Sequence, residues 1–315
     1  MKNNSPPPDS GSPFLEFDRQ KWSSLSPKVV SPLSAEEINA VRSAGDMLDE
    51  SEVVEIYQPL AQLISMYAEG SRHLRTLSQK FLGESLQHTP YIIGIGGSVA
   101  VGKSTSARVL RKLLSRIPGS PKVDLVATDG FLFPLRELEA RGLLERKGFP
   151  ESYDTRALLG FVSRVKSGSA VAKAPKYSHL KYDRVVGSSI EIRQPDILLV
   201  EGLNVLAPPS DKSKLAISDL FDFGIYVDAR TSDIALWYED RFIHLQRSSF
   251  QDPGSYFHRY AKLSETQAKA EARQIWTQIN EPNLVQNILP TRSRATLVLK
   301  KDSNHRVQKI LLRKI

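Results

Sequence analysis

Gly97-Ser98-Val99-Ala100-Val101-Gly102-Lys103-Ser104 fits the pattern G-x-x-x-x-G-K-[ST]. The apolar run Tyr91-Ile92-Ile93-Gly94-Ile95 precedes it, and a helical stretch from Thr105 to Arg116 follows, with Val109, Leu110, Leu113 and Leu114 on one face. Strand, glycine-rich turn and helix in that order are the context that makes this pattern a phosphate cradle. Glycines at 96, 97 and 102 let successive backbone N–H groups converge on an anion, and the helix N-terminus adds partial positive charge. Lys103 is placed to reach the outer phosphates and Ser104 to hold Mg²⁺. A chance match in a surface turn arises in about one chain of this length in a hundred, given glycine usage near 7%. The correct flanking pattern lowers that further, so the stretch reads as a nucleoside-triphosphate site.

Composition sets the frame around this motif. The chain has 315 residues, 40% of them hydrophobic, enough to bury a substantial core in one or two domains. No apolar run approaches the length of a membrane span, and Met1-Lys2-Asn3-Asn4-Ser5-Pro6 lacks the apolar core of a signal peptide. A soluble, cytoplasmic protein is expected. With no cysteine, disulfides, thiolate catalysis and cysteine metal sites are excluded. The net charge of +8 is spread along the chain, densest in the tail at Lys300, Lys301, Arg306, Lys309, Arg313 and Lys314. No RNA- or DNA-binding module accompanies it. The charge therefore reads as a solvated sheet edge, or as a field that attracts a small polyanion such as ATP, rather than as a nucleic-acid surface.

Residues 1–13, rich in Pro, Ser and Asn, are expected to form a disordered tail. Phe14 to Arg19 with Trp22 offers an anchor on the main body. Ser34-Ala35-Glu36-Glu37 is a capping box. An apolar face of Val53, Ile56, Leu60, Leu63, Ile64 and Tyr67 predicts a helix over 52–67, kinked or interrupted at Pro59, and a further helix is expected over 72–82, ending at Gly83. From residue 91 onward the pattern is α/β, with strands expected at 91–96, 123–128, 196–200, 223–227, 295–299 and 307–313. Helices are expected at 105–116, 155–166, 232–247 and 264–279, the last opened by the capping box at Ser264 to Gln267. The predicted architecture is a P-loop NTPase fold: a mostly parallel central sheet flanked by helices, with an N-terminal helical segment. One kinase domain over 14–315 is expected, mainly helical over 14–90, with an α/β nucleotide- and substrate-binding core over 91–315.

Open α/β sheets bind ligands at the carboxyl ends of their strands. Asp129, Glu201 and Asp228 each follow a predicted strand. Asp129 and Glu201 are placed to face the γ-phosphate, one as base or positioner for an attacking hydroxyl, the other to steady Mg²⁺ through water. Asp228, followed by Ala229-Arg230-Thr231-Ser232, reads instead as a turn or cap residue. Tyr177-Ser178-His179-Leu180-Lys181-Tyr182-Asp183 concentrates aromatic, imidazole and carboxylate groups, as ligand loops do, although a surface hairpin is an equal reading. Tyr238 and Arg241 share a helix face three residues apart; an arginine there could cover the transferring phosphate, but from spacing alone an ordinary amphipathic helix with solvated arginines is the favoured reading.

Together these blocks resemble the bacterial type I pantothenate kinases of the P-loop kinase superfamily. The resemblance runs through Phe17-Asp18-Arg19 with Trp22, Gly97 to Thr105, Thr128-Asp129-Gly130-Phe131 and Lys147 to Asp154. It continues through Tyr177 to Leu180, Glu201 to Leu206, Asp252-Pro253 with Ser255-Tyr256-Phe257, and Asn287 to Arg292. The phosphate loop is common to many NTPases, whereas the later blocks are diagnostic. The resemblance implies transfer of the ATP γ-phosphoryl group to the primary hydroxyl of pantothenate, the entry step of coenzyme A synthesis, with ATP and Mg²⁺ as cofactors. It implies Gly97, Ser98, Val99, Ala100, Val101, Gly102, Lys103, Ser104 and Thr105 as the ATP-binding loop and Asp129 as general base. Lys103 and Arg241 neutralise charge on the phosphoryl group, and Ser104 binds Mg²⁺, with Glu201 acting through water. Tyr177, His179, Tyr182, Tyr238, Arg241 and Asn280 match positions that hold pantothenate. Inhibition by coenzyme A in competition with ATP is also implied, through Arg108, Lys147, His179 and Phe250. Position 245 is Leu where some relatives carry an aromatic ring. A homodimer is implied, with no nucleic-acid or membrane partner. Two other readings stay open: a P-loop kinase for uridine or a sugar phosphate, and a nucleotide-dependent regulator or nucleic-acid-binding protein without catalysis.

Overall fold

The computed structural model describes residues 11–25, 33–43, 45–83, 88–119, 121–209 and 214–314. The first ten residues of the expected tail lie outside them. The strands are β1 (Phe14–Asp18), β2 (Tyr91–Gly97), β3 (Val123–Ala127), β4 (Ala172–Ser178), β5 (Asp183–Ile192), β6 (Ile197–Glu201), β7 (Phe223–Asp228), β8 (Leu297–Lys301) and β9 (Val307–Arg313). Short helices α1 (Arg19–Ser24), α2 (Ala35–Val41) and α3 (Glu50–Glu52) lead into the long α4 (Gln58–Leu82). Then follow α5 (Lys103–Leu114), α6 (Leu135–Ala140), α7 (Thr155–Lys166), α8 (Thr231–Gln246), α9 (Glu265–Ile275) and α10 (Glu281–Asn283).

One seven-stranded sheet runs in the order β1-β9-β8-β7-β2-β6-β3, and β4 pairs with β5 in a separate hairpin. β3, β6, β2, β7 and β8 are parallel, while β9 and β1 close the edge antiparallel. Every residue of β2, β6 and β7 is buried, which is why these stretches read as continuous apolar runs rather than alternating ones. The six strands expected from the sequence are present, shifted by at most two residues at their ends. β1 was not expected as a strand. Its five residues pair only with β9, almost 300 positions away, and no local periodicity announces such an edge. Trp22, expected as an anchor, is buried and its Nε1 donates to the Ile56 carbonyl at 3.1 Å.

The two helices expected over 52–67 and 72–82 are instead a π-helical turn, Val53–Tyr57, followed by the single helix α4. Pro59 follows directly on that π-helical turn, so the regular helix is interrupted beside the proline, as its missing N–H leads one to expect. Gly70 lies inside the helix at a cost of about 1 kcal/mol, too little to end it. Both capping boxes form: Ser34 with Glu37, and Ser264 with Gln267.

α5 packs on β2, β3 and β6, and α4 packs on α5. The N-terminal segment is thereby fastened to the phosphate loop. The buried Tyr57 hydroxyl meets Ser106 Oγ at 2.7 Å, and Ser106 Oγ donates to the Gly102 carbonyl at 3.0 Å.

Candidate active site

β2 delivers the chain into residues 97–104 at the centre of the sheet, between β6 and β7. Gly102 caps α5 at φ 96°, a left-handed conformation that suits glycine, and Ala100 is held at φ 58°. Lys103 is buried and donates from Nζ to the Ser98 carbonyl at 2.7 Å. Burial makes its proton easier to lose, while the carboxylates of Glu201 and Asp129 oppose that. Ser104 Oγ donates to Glu201 Oε1 at 2.9 Å, and burial pushes the Glu201 carboxyl upward against the pull of Lys103. The Ser98 hydroxyl is buried with no hydrogen-bond partner among the described residues.

Asp129 lies in the 3-10 turn Thr128–Phe131 that follows β3. Because β3 pairs with β6, Asp129 and Glu201 emerge from neighbouring strands. The hairpin is drawn against this turn at Gly130, where a Cβ atom would stand 2.1 Å from the Pro175 carbonyl oxygen. Only glycine permits that approach, and it places the end of β4, with Tyr177, beside the turn.

A cavity of about 400 Å³ joins these pieces. Lys103, Ser104, Asp129 and Glu201 line its donor side, with Val99 and Ala100 of the loop. Tyr177, His179, Tyr182, Tyr238, Arg241 and Asn280 all line it as well, as do Lys147, Phe250 and Leu245. The remaining loop residues named from the sequence (Gly97, Ser98, Val101, Gly102 and Thr105) lie behind the lining. The Thr105 hydroxyl is engaged by Asp46 and by the Ser43 N–H at 3.0 Å. Arg108 also stands apart from the lining: its Nε donates to the Val41 carbonyl at 2.8 Å and Nη2 to Ser43 Oγ at 2.6 Å. Asp228 forms an ion pair with Arg292 at 3.2 Å rather than capping the next helix, whose N-cap is Arg230.

The acceptor side is aromatic. Tyr177 and His179 meet edge to face at 5.2 Å, and Tyr182 packs on Phe257 at 4.7 Å. The Lys147 ammonium sits 3.5 Å from the centre of the Tyr182 ring and donates to the Tyr182 carbonyl. Burial brings its pKa down to about 8, against the carboxylates of Asp183 and Asp129. Tyr238 and Arg241 come from α8, and Asn280 from a π-helical turn, Trp276–Asn280, that extends α9. The extra residue per turn brings Ile275, Ile279 and Asn280 to the cavity together. The Asn280 amide Nδ2 is buried and makes no regular hydrogen bond, although the Tyr238 side chain is close.

Sequence reasoning gave no role to Tyr153 or Asn283, which also line the cavity. Asn283 Nδ2 donates to the Gly148 carbonyl at 2.9 Å and Asn204 Nδ2 donates to the same oxygen at 3.0 Å, tying down the loop that carries Lys147. Asn287, one helical turn after Asn283, donates to its Oδ1 at 2.9 Å. Nor did the sequence bring Lys301 to the phosphate loop. A Cβ at Gly102 would lie 2.7 Å from Lys301 Nζ, and His305 stacks on Trp237 at 3.6 Å.

A glycine-rich loop ending a central parallel strand, a buried lysine and two strand-end carboxylates open onto space for a second substrate. That arrangement defines a P-loop kinase, an enzyme class that takes its phosphoryl group from ATP. Residues 92–238 match the phosphoribulokinase/uridine kinase family. A protein of Clavibacter sepedonicus named pantothenate kinase is 59% identical over 96% of this chain and 95% of its own length. One of Leifsonia xyli subsp. xyli with the same name is 58% identical over 98% of this chain and 95% of its own. The chain belongs to the pantothenate kinase family. Its fold is also that of D-glycerate 3-kinase from Cryptococcus neoformans var. grubii, with a TM-score of 0.52 at 13% identity, over 79% of this chain and 97% of that one. No helix among the described residues is long and apolar enough to cross a membrane.

Proposed function

We propose that this enzyme transfers the γ-phosphoryl group of ATP to the primary hydroxyl of pantothenate, giving 4′-phosphopantothenate and ADP, the entry step of coenzyme A synthesis in the cytoplasm. One observation carries the reading: the donor residues Lys103, Ser104, Asp129 and Glu201 share a single cavity with the acceptor residues Tyr177, His179, Tyr182, Tyr238, Arg241 and Asn280. Pantothenate offers hydroxyls, an amide and a carboxylate, and a wall of neutral donors with aromatic rings orients such a molecule while excluding water. We assign these roles within one kinase domain spanning 14–315.

Asp129 accepts the hydroxyl proton as the alcohol oxygen bonds to the γ-phosphorus and the bond to the ADP oxygen breaks. Lys103 and Arg241 neutralise charge on the moving group. Ser104 and Glu201 place two hard oxygen atoms together beside the phosphate cradle, a donor set that fits Mg²⁺, which takes one or two protein oxygens along with phosphates and water. When bound there, Mg²⁺ screens the phosphate charge. The decisive assay measures ADP release from Mg-ATP with pantothenate, with uridine, and with neither. Release only with pantothenate supports the reading; release only with uridine, or with neither, sinks it.

Coenzyme A is read as an inhibitor competing with ATP, held by Lys147, His179 and Phe250 in the cavity and by Arg108 beside the loop. Raising ATP should relieve its inhibition. Leu245 lines the same cavity without the aromatic face some relatives present there.

The homodimer is assigned to the second half of α4. No residue of this helix after Ala68 is buried, and Leu74, Leu77 and Phe81 are all exposed, Phe81 by 89%. With Gly70 they recur at four, three and four residues, the spacing of a coiled-coil seam. A helical half-length without tertiary cover is marginal in water, so a second copy of the same stripe is the natural cover. Phe81→Glu with Leu77→Glu should yield monomers in sedimentation equilibrium. Unchanged mass would assign the interface elsewhere.

A further inference from the structure

Two polar groups that line the cavity lack regular hydrogen-bond partners among the described residues. Tyr153 is buried and lines the cavity, yet its hydroxyl makes no regular hydrogen bond, although the Thr128 side chain is close. The Asp129 carboxylate makes no hydrogen bond or ion pair among the described residues. The backbone holds the two together. Leu132 and Tyr153 form an isolated antiparallel bridge, the Phe133 N–H donates to the Ser152 carbonyl at 2.9 Å, and the Asp154 N–H donates to the Phe131 carbonyl at 2.8 Å. Tyr153 is thus fastened to the turn that carries Asp129. Beyond the effect of burial, the Asp129 charge is the strongest influence on its hydroxyl, followed by Glu201, and both keep it protonated and able to donate.

A buried hydroxyl with no partner costs about 1–3 kcal/mol. The Asp129 carboxylate, on the turn to which Tyr153 is fastened, can relieve this, and it needs a fixed orientation when the acceptor alcohol arrives. We infer that Tyr153 is a positioning residue, whose hydroxyl donates to one oxygen of Asp129 in the substrate-loaded enzyme and leaves the other oxygen facing the acceptor hydroxyl. The inference rests on Asp129 acting as the base in the reaction proposed above.

The test is a double-mutant cycle with Tyr153→Phe and Asp129→Asn, read by kcat, by KM for ATP, and by the thermal midpoint of the unliganded protein. Tyr153→Phe alone should lower kcat about ten- to a hundredfold, leave KM for ATP unchanged, and leave the midpoint unchanged or higher, because it removes a buried group that has no partner. In the Asp129→Asn background it should cost less than twofold further, since the hydroxyl then has no carboxylate to orient. Equal losses in both backgrounds would overturn the assignment, as would a lowered midpoint with kcat intact, which marks a purely structural tyrosine. A wild-type enzyme inactive on pantothenate would defeat the proposed reaction itself, a result separate from any of these.

Discussion

The two halves of the cavity are built on opposite plans. The donor half is local: eight consecutive residues, closed by the Lys103–Ser98 and Ser104–Glu201 hydrogen bonds, sit at the end of one strand. The acceptor half is dispersed, drawing Lys147, Tyr177, Tyr182, Tyr238, Phe250 and Asn280 from separate helices, turns and a hairpin. Every nucleoside triphosphate presents the same phosphates, so backbone amides in a fixed turn suffice to bind them. An acceptor is distinguished by its shape and by the positions of its polar atoms, and only side chains brought from several directions can match those. Damage to the donor half should therefore abolish turnover, and damage to the acceptor half should mainly weaken the acceptor.

The largest effect is expected where the halves meet. Asp129→Asn removes a base that works only in the transition state, so kcat should fall about 10²–10⁴-fold with KM for ATP nearly constant. Steady-state kinetics with ATP varied at saturating pantothenate gives the answer. A fall below threefold would place the base elsewhere and blur the division between the halves.

A smaller effect, of opposite kind, belongs to Asn280→Ala. The amide Nδ2 is buried and makes no regular hydrogen bond, its protein neighbour being the Tyr238 side chain, so its loss is felt mainly by the acceptor. One lost hydrogen bond to the acceptor is worth roughly 0.5–1.5 kcal/mol, up to about tenfold in KM for pantothenate, with kcat held within a factor of about two. If kcat fell with KM unchanged, Asn280 would act in the transition state, and the contrast between the halves would be less clean than drawn here.

The same division governs what could be read from the sequence. The phosphate loop, its strand and its helix are legible because the motif and its flanking apolar patterns are contiguous in the chain, and β2, β6 and β7 announce themselves as apolar runs. Asp129 and Glu201 followed from one rule about strand ends. Tyr177 and Tyr238 were singled out, but chemistry alone left Tyr177 with an equal structural reading and favoured an ordinary amphipathic helix for Tyr238, and the family resemblance supplied their roles. The Asn204–Gly148–Asn283 clamp was not legible at all, because its three members are far apart and joined through a carbonyl oxygen that every residue possesses. The π-helical turns that aim Asn280 carry no compositional mark either, since the apolar spacing of α9 continues through them. β1 was missed for a similar reason: its only partner is at the other end of the chain.

The smallest effect is one of pH, and it tests whether Lys147 belongs with the anion-binding groups despite its place on the aromatic side. Burial lowers its pKa to about 8, so the ammonium gives up its proton within an accessible range. The phosphates of coenzyme A are fully ionised above pH 7, because their second pKa lies near 6, and they do not change charge there. Calorimetric affinity for coenzyme A should therefore weaken severalfold as pH rises from 7 to 9. Lys147→Met should bind weakly and equally at both values, and a variant that kept the wild-type slope would remove Lys147 from the anion site. Stability moves the other way. The unfolded lysine retains its proton up to its ordinary value of 10.5, whereas the folded one releases it near 8. Between those values the unfolded chain binds more protons, so the Lys147 contribution to stability rises with pH across that window and is flat below it. Inhibitor affinity falling while the midpoint of wild type gains on that of Lys147→Met is a pair of slopes that a lysine on an open surface, titrating alike in both states, would not produce.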